Sequence, residues 1–485
     1  MRMRGGMLGM LVWGVVGCRP SDVLSVPVPA GVLPSSALQN QTGAEGSFNA
    51  AKGQLFSAAD GFYSKGLLMW SELLTDEFAY SEFSDFSVFA NIDARMTAGG
   101  GGFNEIGDLP WRYLLQARSA LLVALPDLAR YEPASSRSTV GEAYALAGYA
   151  ELLVAEGYCA GTPLSEVLPG GTIQYGTPLT SDSLLGVAEM HLDSAVAEAH
   201  GNATVEALAG VGLGRVLLDR GQYGTAAAAV QNVPTSFAYN VELEPNTGVG
   251  AAQLPNLYAY GVQSLAFRFF NVADQEGQNG LNFVSAHDPR LVLDTTTYQT
   301  PDGAAWRLPT KFEANLSTIS LATGIEARLI EAEGALKAGQ AGMWLTALNT
   351  LRNSGCAIPG VDSTCALGTG HVPGQTTGLS SLSDPGTDSG RVSLMFRERA
   401  FWLFGTGTRL GDLRRLIRQY GRDQSAVFPT GPYANGNNLH LPAPIPNYGT
   451  DVGLTLPTPA GLAVTGLPAI TNPNYKGCIA STKQA

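Results

Sequence analysis

The spacing of apolar residues predicts that the first part of the chain is mainly helical. Apolar side chains recur every three or four residues from Phe48 to Leu74 and again from about Ile106 to Leu128, which is the period of an amphipathic helix. From Val140 to Tyr158 the chain is apolar nearly all round, as in a helix that is buried on every side. Helices are therefore expected in all three segments, and the last of them should lie in the core.

Further along, apolar and small residues are spaced in a way that predicts pairs of helices. Gly214 and Ala226 fall at the offsets of small residues in a tetratricopeptide repeat, where two antiparallel helices cross at close range. A second pair matches less well, because Trp344 stands where a small residue is expected. A third pair is interrupted by the Gly-Thr-Gly sequence at residues 405–407. The pairs run from Leu208 to Val233, from Ile325 to Arg352 and from Leu394 to Tyr420.

Long connections rich in Gly, Thr, Ser, Asn and Pro separate these pairs, at residues 234–323 and 355–390. The first connection is crowded with aromatic residues, whereas disordered segments are poor in them, so it is predicted to be a folded, exposed insert. Exposed aromatic rings can stack on the apolar faces of sugars. Trp306, Tyr258 and Tyr260 are the candidate stacking residues, and the competing interpretation is that they fill the core beneath the insert.

The first residues have the layout of an export signal. Arg2 and Arg4 precede an apolar stretch from Met7 to Val16, which ends at a small glycine and Cys18. This stretch is shorter than the roughly 20 apolar residues of a membrane-spanning helix. The order Val-Val-Gly-Cys resembles a bacterial lipobox, so residues 1–17 are interpreted as a signal peptide and Cys18 as the lipid attachment site. An ordinary signal peptide with an incidental cysteine is the alternative.

Composition narrows the possible partners. The chain has 485 residues, 14% of them charged, and a formal net charge of -12. Because binding to nucleic acid is dominated by Lys and Arg that neutralise phosphates, this balance disfavours a nucleic-acid partner. The chain contains 59 glycines and 28 prolines, which predicts extensive irregular connections. Residues 18–45 are interpreted as the anchor and a flexible lead-out.

The remaining cysteines form an even set if Cys18 carries lipid. They are Cys159, Cys356, Cys365 and Cys478, and an exported protein of this kind forms disulfides. All three pairings are open. Cys356 with Cys365 is favoured because it would enclose a short loop, which leaves Cys159 for Cys478. A zinc site is the competing interpretation, but no CxxC spacing is present and the histidines are scattered, so no metal is predicted.

Charged residues of the last helices are interpreted as structural ion pairs. Arg409 and Asp412 lie three residues apart and can pair on one helical face, and Glu398 with Arg414 or Arg415 would extend the network. Glu326, Glu331 and Glu333 are expected on differing faces of their helix, at a solvated or ion-paired surface. The sequence has no GxxxxGK[ST], HExxH or GxSxG motif, so no cofactor and no catalytic residue are predicted.

Several segments, in order, resemble the SusD/RagB family of nutrient-binding outer-membrane lipoproteins. The most specific part is residues 396–404 (FRERAFWLF) followed by residues 409–415 (RLGDLRR), similar to the late helical pair of that family. Residues 325–333 (IEARLIEAE) and 348–352 (LNTLR) resemble its preceding helices. The chain departs from the family at residues 406–408, where Thr-Gly-Thr replaces a common Glu-Gly-His. Shorter matches occur at residues 141–143, 158–164, 288–290, 445–446 and 472–475.

This resemblance implies a mainly α fold, a SusD-like α-α superhelix of tetratricopeptide-like hairpins with a loop-rich insert. It implies an N-terminal helical part at 46–233, a ligand-binding insert at 234–323, and C-terminal helical pairs with an irregular tail at 324–485. The implied function is non-catalytic capture of an oligosaccharide, or of a peptide, for a SusC-like TonB-dependent transporter. The implied location is the outer membrane, lipid-anchored and facing outward.

Two other functions compete with capture of a nutrient. A cell-surface glycoside hydrolase needs only two carboxylates roughly 5 to 9.5 Å apart, which the sequence cannot exclude. A protein-interaction scaffold would use the tetratricopeptide-like helices alone.

Overall fold

The computed structural model describes most of the body of the chain. The described residues are 39–61, 66–80, 87–97, 108–133, 137–158, 161–168, 172–243, 270–294, 306–309, 319–354, 379–434 and 444–454. The export signal, all five cysteines, Tyr258 and Tyr260 lie outside these ranges, so the predictions on them stay predictions. The same holds for the proposed division of the chain into parts.

The described chain is mainly α-helical. Its helices are α1 (Gln41–Asp60), α2 (Leu67–Leu73), α3 (Ser87–Asp93), α4 (Asp108–Tyr131), α5 (Ser138–Gly157), α6 (Ser181–Ala197), α7 (Ala203–Asp219), α8 (Tyr223–Val230), α9 (Gly324–Lys337), α10 (Ala341–Ser354), α11 (Asp388–Trp402) and α12 (Arg409–Arg418). Side-chain caps begin several of them, because Asn40, Thr180, Asn202, Thr323 and Thr387 each accept a hydrogen bond from a backbone N–H in the first turn.

Helices that follow one another along the chain pack side by side from α4 to α10, and α1 packs against α4. Close approach depends on small residues. A Cβ atom at Gly148 would lie 2.7 Å from Leu192 Cγ, and one at Gly214 would lie 2.6 Å from Val230 Cγ1 and 3.4 Å from the carbonyl oxygen of Ala226. The predicted crossing of the helices at Gly214 and Ala226 is therefore confirmed. α9 also packs on α7, α8 and α11, which joins the later helices to the same core.

Four short antiparallel pairs of strands complete the described structure. Their strands are β1 (Phe78–Tyr80) with β5 (Phe270–Val272), β2 (Glu166–Val167) with β3 (Ile173–Gln174), β4 (Ala238–Val241) with β8 (Ile319–Thr323), and β6 (Leu293–Asp294) with β7 (Leu308–Pro309). One of these pairs, β5 with β1, attaches the predicted insert to the helical body, and another, β4 with β8, joins the two ends of that insert. Among the described residues, no helix is both long enough and apolar enough to cross a membrane.

Most predicted helices are present, with two differences. The segment from Phe48 to Leu74 forms two helices, α1 and α2, rather than one. The helix α6 (Ser181–Ala197) was missed, although its buried Leu184, Ala188 and Leu192 recur at helical spacing behind the Thr180 cap. The predicted burial of α5 on every side and the break near residues 405–407 are confirmed.

Candidate ligand-binding cleft

The structure places Trp306 inside the protein rather than on its surface. The residue lies just before β7, and its side chain has no exposed area. A fully buried ring cannot stack on a sugar, so the prediction that Trp306 is a stacking platform is wrong and the competing core interpretation is right. Trp70, Trp111, Trp344 and Trp402 are also buried.

The ion pairs of the late helical pair exist, but the predicted partners are wrong. Arg409 donates to both carboxylate oxygens of Asp76, at 2.8 and 2.9 Å, and not to Asp412. Asp412 instead accepts from Arg399 Nε and from Arg415 Nη2, each at 2.8 Å. The i, i+3 pair on this helix is therefore Asp412 with Arg415. The spacing in the sequence allows Arg409 to pair with Asp412, but in the structure Arg409 pairs with Asp76, which is distant in sequence.

Glu398 and Arg414 also have other partners than those predicted. Glu398 accepts from Arg290 Nη1 at 2.7 Å and from Arg352 Nη1 at 2.8 Å. Arg414 donates to backbone carbonyl oxygens at the C-terminal end of α5, where helix carbonyls lack partners within the helix. These contacts are structural in kind, because they join segments that are distant in sequence.

The acids of α9 are more deeply buried than expected. Glu333 is fully buried and accepts from Arg415 and from the Tyr420 hydroxyl, and Glu326 is 2% exposed. Only Glu331 is half-buried, beside Arg328 at 3.2 Å. The prediction of a surface location is wrong for Glu326 and Glu333, because long-range arginines from α7, α11 and α12 provide the counter-charges.

A polar cleft opens at the segment that follows β5. Its volume is about 400 Å³. The side chains of Gln275 and Gln278 that line it are exposed, and that of Asn282 is half-buried. Amide groups carry both hydrogen-bond donors and acceptors, which suits ligands with hydroxyl groups. The residues lining the cleft are Gln275, Gly277, Gln278, Gly280, Leu281 and Asn282.

Backbone contacts fix the shape of this segment. The Leu281 N–H donates to Asp76 Oδ2 at 2.8 Å, so the carboxylate that binds Arg409 also holds the cleft. Asn279 Nδ2 donates to the carbonyl oxygen of Phe428 at 2.7 Å. Gly277 has a φ of +62°, and a Cβ atom there would lie 2.6 Å from backbone atoms of Thr430. The segment is thus seated tightly on residues 428–430.

Two buried carboxyl groups lie beneath the cleft. Asp93 Oδ2 accepts from the Tyr433 hydroxyl at 2.6 Å, and Glu276 Oε1 accepts from the Tyr448 hydroxyl at 2.8 Å. The remaining oxygens, Asp93 Oδ1 and Glu276 Oε2, are buried and receive no hydrogen bond from an N–H or another hydroxyl. The two carboxyl groups lie close enough to affect each other's pKa.

Burial raises the pKa of both groups. It raises the pKa of Asp93 to about 6, against the opposing effect of its hydrogen bonds. Burial, together with repulsion from the Asp93 carboxylate, raises the pKa of Glu276 well above its usual value. Asp76 adds to the repulsion at Glu276, whereas Arg95 is attracted to it. The segment between Gln275 and Gly277 is therefore anchored by a carboxyl pair that holds one proton.

The described lining of the cleft offers amide groups as its polar side chains. None of the six described lining residues carries a carboxylate, imidazole, thiol or hydroxyl. Within the described ranges, no group of three His, Cys, Asp or Glu residues is arranged to hold a metal ion. The six lining residues lie within the predicted insert at 234–323, but none of them was among the predicted ligand-binding residues. The available signal was the run QEGQNGLN at residues 275–282, which is dense in amides and glycines and lies just before the Asp-Pro-Arg motif at 288–290.

Comparison of the structure with solved structures identifies the fold. A SusD superfamily protein from Bacteroides vulgatus ATCC 8482 matches with a TM-score of 0.56 and 14% identity, over 79% of this chain and 90% of that one. A SusD superfamily protein from Parabacteroides distasonis ATCC 8503 matches with a TM-score of 0.57 and 13% identity, over 89% and 98%. A laminarin-binding SusD-like protein matches with a TM-score of 0.55 and 14% identity, over 87% and 97%.

The chain therefore has the fold of the SusD superfamily, and the resemblance seen in the sequence is confirmed at the level of the fold. No protein-family model and no curated protein matches the sequence. Because these identities are low, they show the architecture of the chain and not its ligand.

Proposed function

We propose that this chain is a non-catalytic, lipid-anchored member of the SusD/RagB family. It binds an oligomeric nutrient, in the first place a glycan, and delivers it to a SusC-like TonB-dependent transporter in the outer membrane. The observation that carries the proposal is an amide-lined cleft of about 400 Å³ on a SusD fold. One solved structure with this fold is described as laminarin-binding and another as carbohydrate-binding.

The cleft supports capture of a glycan rather than its hydrolysis. Glycoside hydrolysis requires two carboxyl groups that face the scissile bond. The described residues lining the cleft include no acid, and the nearby Glu276 directs its carboxyl group toward Asp93 and Tyr448. Hydroxyl groups of a sugar can instead exchange hydrogen bonds with Gln275, Gln278 and Asn282. The cleft therefore offers recognition without an acid and base for chemistry.

The experiment is isothermal titration of the mature chain with laminarin, maltoheptaose, a mannan oligosaccharide, oligogalacturonates and a mixture of peptides. We expect saturable binding of at least one oligosaccharide, without hydrolysis of any. The double variant Gln278→Ala with Asn282→Ala should weaken that binding about tenfold, since it removes two neutral hydrogen-bonding groups worth about 0.5 to 1.5 kcal/mol each. Gln231→Ala, an exposed amide after α8, is the matched control and should leave it unchanged.

Failure of every glycan to bind, or release of shorter sugars, would overturn the proposal in favour of another ligand or of the hydrolase alternative. The partnership is tested separately, by affinity purification of the lipidated chain from membranes. Recovery of a TonB-dependent transporter supports delivery, and recovery without one favours the scaffold alternative. Substitution of Cys18 by Ala should release the chain from the membrane fraction, because the tether after it would then carry no lipid.

A further inference from the structure

A cluster of arginines and carboxylates lies beside the cleft, where α11 meets the segment after the cleft. Arg290 donates to Asp288 through Nε and Nη2, at 2.9 and 2.8 Å, and to Glu398 through Nη1 at 2.7 Å. Arg352 donates to the other oxygen of Glu398 at 2.8 Å. Both carboxylates of the cluster are therefore already paired with arginines.

Arg397 is the third guanidinium of this cluster, and no carboxylate among the described residues pairs with it. Within the described part of the chain it makes no ion pair, and its hydrogen bond goes from Nη1 to Asn282 Oδ1 at 2.9 Å. Its guanidinium carbon lies 4.6 Å from the centre of the Phe401 ring. Three guanidiniums against two carboxylates leave one positive charge in excess, and that charge is on Arg397.

The surroundings of Arg397 confirm that its charge is poorly compensated. The side chain is half-buried. Burial lowers the pKa of Arg397, and repulsion from Arg290 and Arg352 opposes the attraction of Asp288 and Glu398. An arginine remains protonated at neutral pH even so. A negative charge that came within reach of this guanidinium would therefore gain a charge-assisted hydrogen bond.

The position of Arg397 relates this charge to the cleft. Its partner Asn282 lines the cleft, so the guanidinium lies next to the lining, one hydrogen bond from it. A guanidinium presents two parallel N–H groups, which match the two oxygens of a carboxylate. The net charge of -12 repels sulfated and other strongly charged polyanions at long range, so a ligand with at most one carboxylate per sugar fits better than a sulfated one.

Building on the proposed function, we propose that the cleft selects an acidic glycan, an oligosaccharide with a uronic acid whose carboxylate pairs with Arg397 while its hydroxyl groups bond to the cleft amides. The carboxylate of a uronic acid is an anionic group that a guanidinium can bind through two parallel N–H groups. The same sugar with its carboxylate converted to a methyl ester keeps the hydroxyl groups and loses the charge. It is therefore the matched ligand for a test.

The experiment is titration of the mature chain with tetragalacturonate and with its methyl ester, for the unmodified protein, Arg397→Gln and Arg422→Gln. Arg422 is the control cation, because its guanidinium bonds to Ser389 and Ser393. We expect the acid to bind at least tenfold more tightly than the ester in the unmodified protein and in the control. In Arg397→Gln the ratio should fall to about one.

The inference would be overturned if the unmodified protein bound acid and ester equally, or if Arg397→Gln kept the preference for the acid. Tighter binding of a sulfated tetrasaccharide than of the uronate would also overturn it.

If Arg397→Gln binds neither ligand, Arg397→Lys is the deciding variant, because lysine keeps the positive charge. A preference for the acid in Arg397→Lys supports the inference, and its absence refutes it. A neutral glycan that binds while neither galacturonate does would refute the acidic ligand alone. Absence of binding by every glycan would refute the proposed function as well.

Discussion

The late helical pair and the cleft both bury carboxyl groups, but they neutralise them differently. In the helical pair, Asp412 lies between the guanidiniums of Arg399 and Arg415. Beneath the cleft, the neighbouring acids Asp93 and Glu276 both have a pKa raised by burial, so the pair retains a proton. Opposite charges hold the helices together over a wide pH range, whereas the cleft is held by a proton that can be lost.

This difference assigns separate physical roles to the two regions. Arg415 of α12 contacts Asp219 of α7 and Glu333 of α9, so it connects helices across the core. The carboxyl pair connects the cleft segment to α3 and, through Tyr433 and Tyr448, to the region after α12. Damage to the first region should unfold the protein, and damage to the second should change the cleft locally.

The largest effect is expected from removal of a charge in the helical pair. Asp412→Asn leaves Arg399 and Arg415 buried with one carboxylate fewer, and breaking a buried ion pair from one side costs about 3 to 5 kcal/mol. The free energy of unfolding, measured by urea denaturation, should fall by that amount. The control is Asp388→Asn, because the Asp388 side chain is 99% exposed. Its free energy of unfolding should hardly change. Equal effects in the two variants would contradict the structural role of Asp412.

A smaller and local effect is expected from Gly277→Ala in the cleft. The residue has a φ of +62°, and the added Cβ would lie 2.6 Å from the backbone of Thr430, which together should cost about 1 to 3 kcal/mol. Hydrogen exchange should accelerate in peptides covering residues 274–285 and stay slow in α9 and α12. Slower or unchanged exchange at the cleft would show that the close contact is not present in solution.

The matched control for this change is Gly53→Ala. Gly53 is exposed in α1, and a Cβ there meets nothing within 4 Å. Alanine is the better helix former, so this variant should gain about 0.5 to 1 kcal/mol of stability. The pair of variants thus compares the same substitution with and without a conformational constraint.

The fold followed from the sequence because its signals are local. Apolar spacing predicted α4, α5 and the helical pairs, and small residues such as Gly214 predicted where helices cross. The partners of the charged residues did not follow, because they depend on contacts between distant segments. Arg409 and Asp76 are 333 positions apart, so spacing along one helix favoured Asp412 incorrectly.

The individual residues of the candidate cleft did not follow from the sequence, for a related reason. Large aromatic residues are the evident candidates for binding sugars, yet Trp306 is buried and the described cleft is lined mainly by amides and glycines. Amides in a glycine-rich segment indicate a loop from sequence alone. Only the contacts of Leu281 with Asp76 and of Asn279 with Phe428 show that this loop is fixed in shape.

The most gradual effect should be a change of the free energy of unfolding with pH, caused by the carboxyl pair. In the unfolded chain, Asp and Glu lose their protons near pH 4, whereas the folded pair keeps one because the pKa of Asp93 is raised to about 6 and that of Glu276 further. The stabilisation is therefore complete below about pH 4 and is lost as the pH rises through the raised values. Each shared proton contributes at most about 1.4 kcal/mol per pH unit.

Urea denaturation between pH 5 and pH 8 should show this loss as a falling free energy of unfolding. In Glu276→Gln the amide can still donate to Asp93 without a titrating proton, so the slope should become shallower. Glu206→Gln, an exposed position on α7, should keep the original slope. Hydrogen exchange at residues 274–285 should also rise with pH more steeply than the intrinsic exchange rate does. If this extra rise occurs in the unmodified protein but not in Glu276→Gln, the proton lies beneath the cleft. An unchanged slope in Glu276→Gln would instead assign the pH dependence to other buried acids, such as Glu72 and Glu77, whose pKa values are also raised by burial.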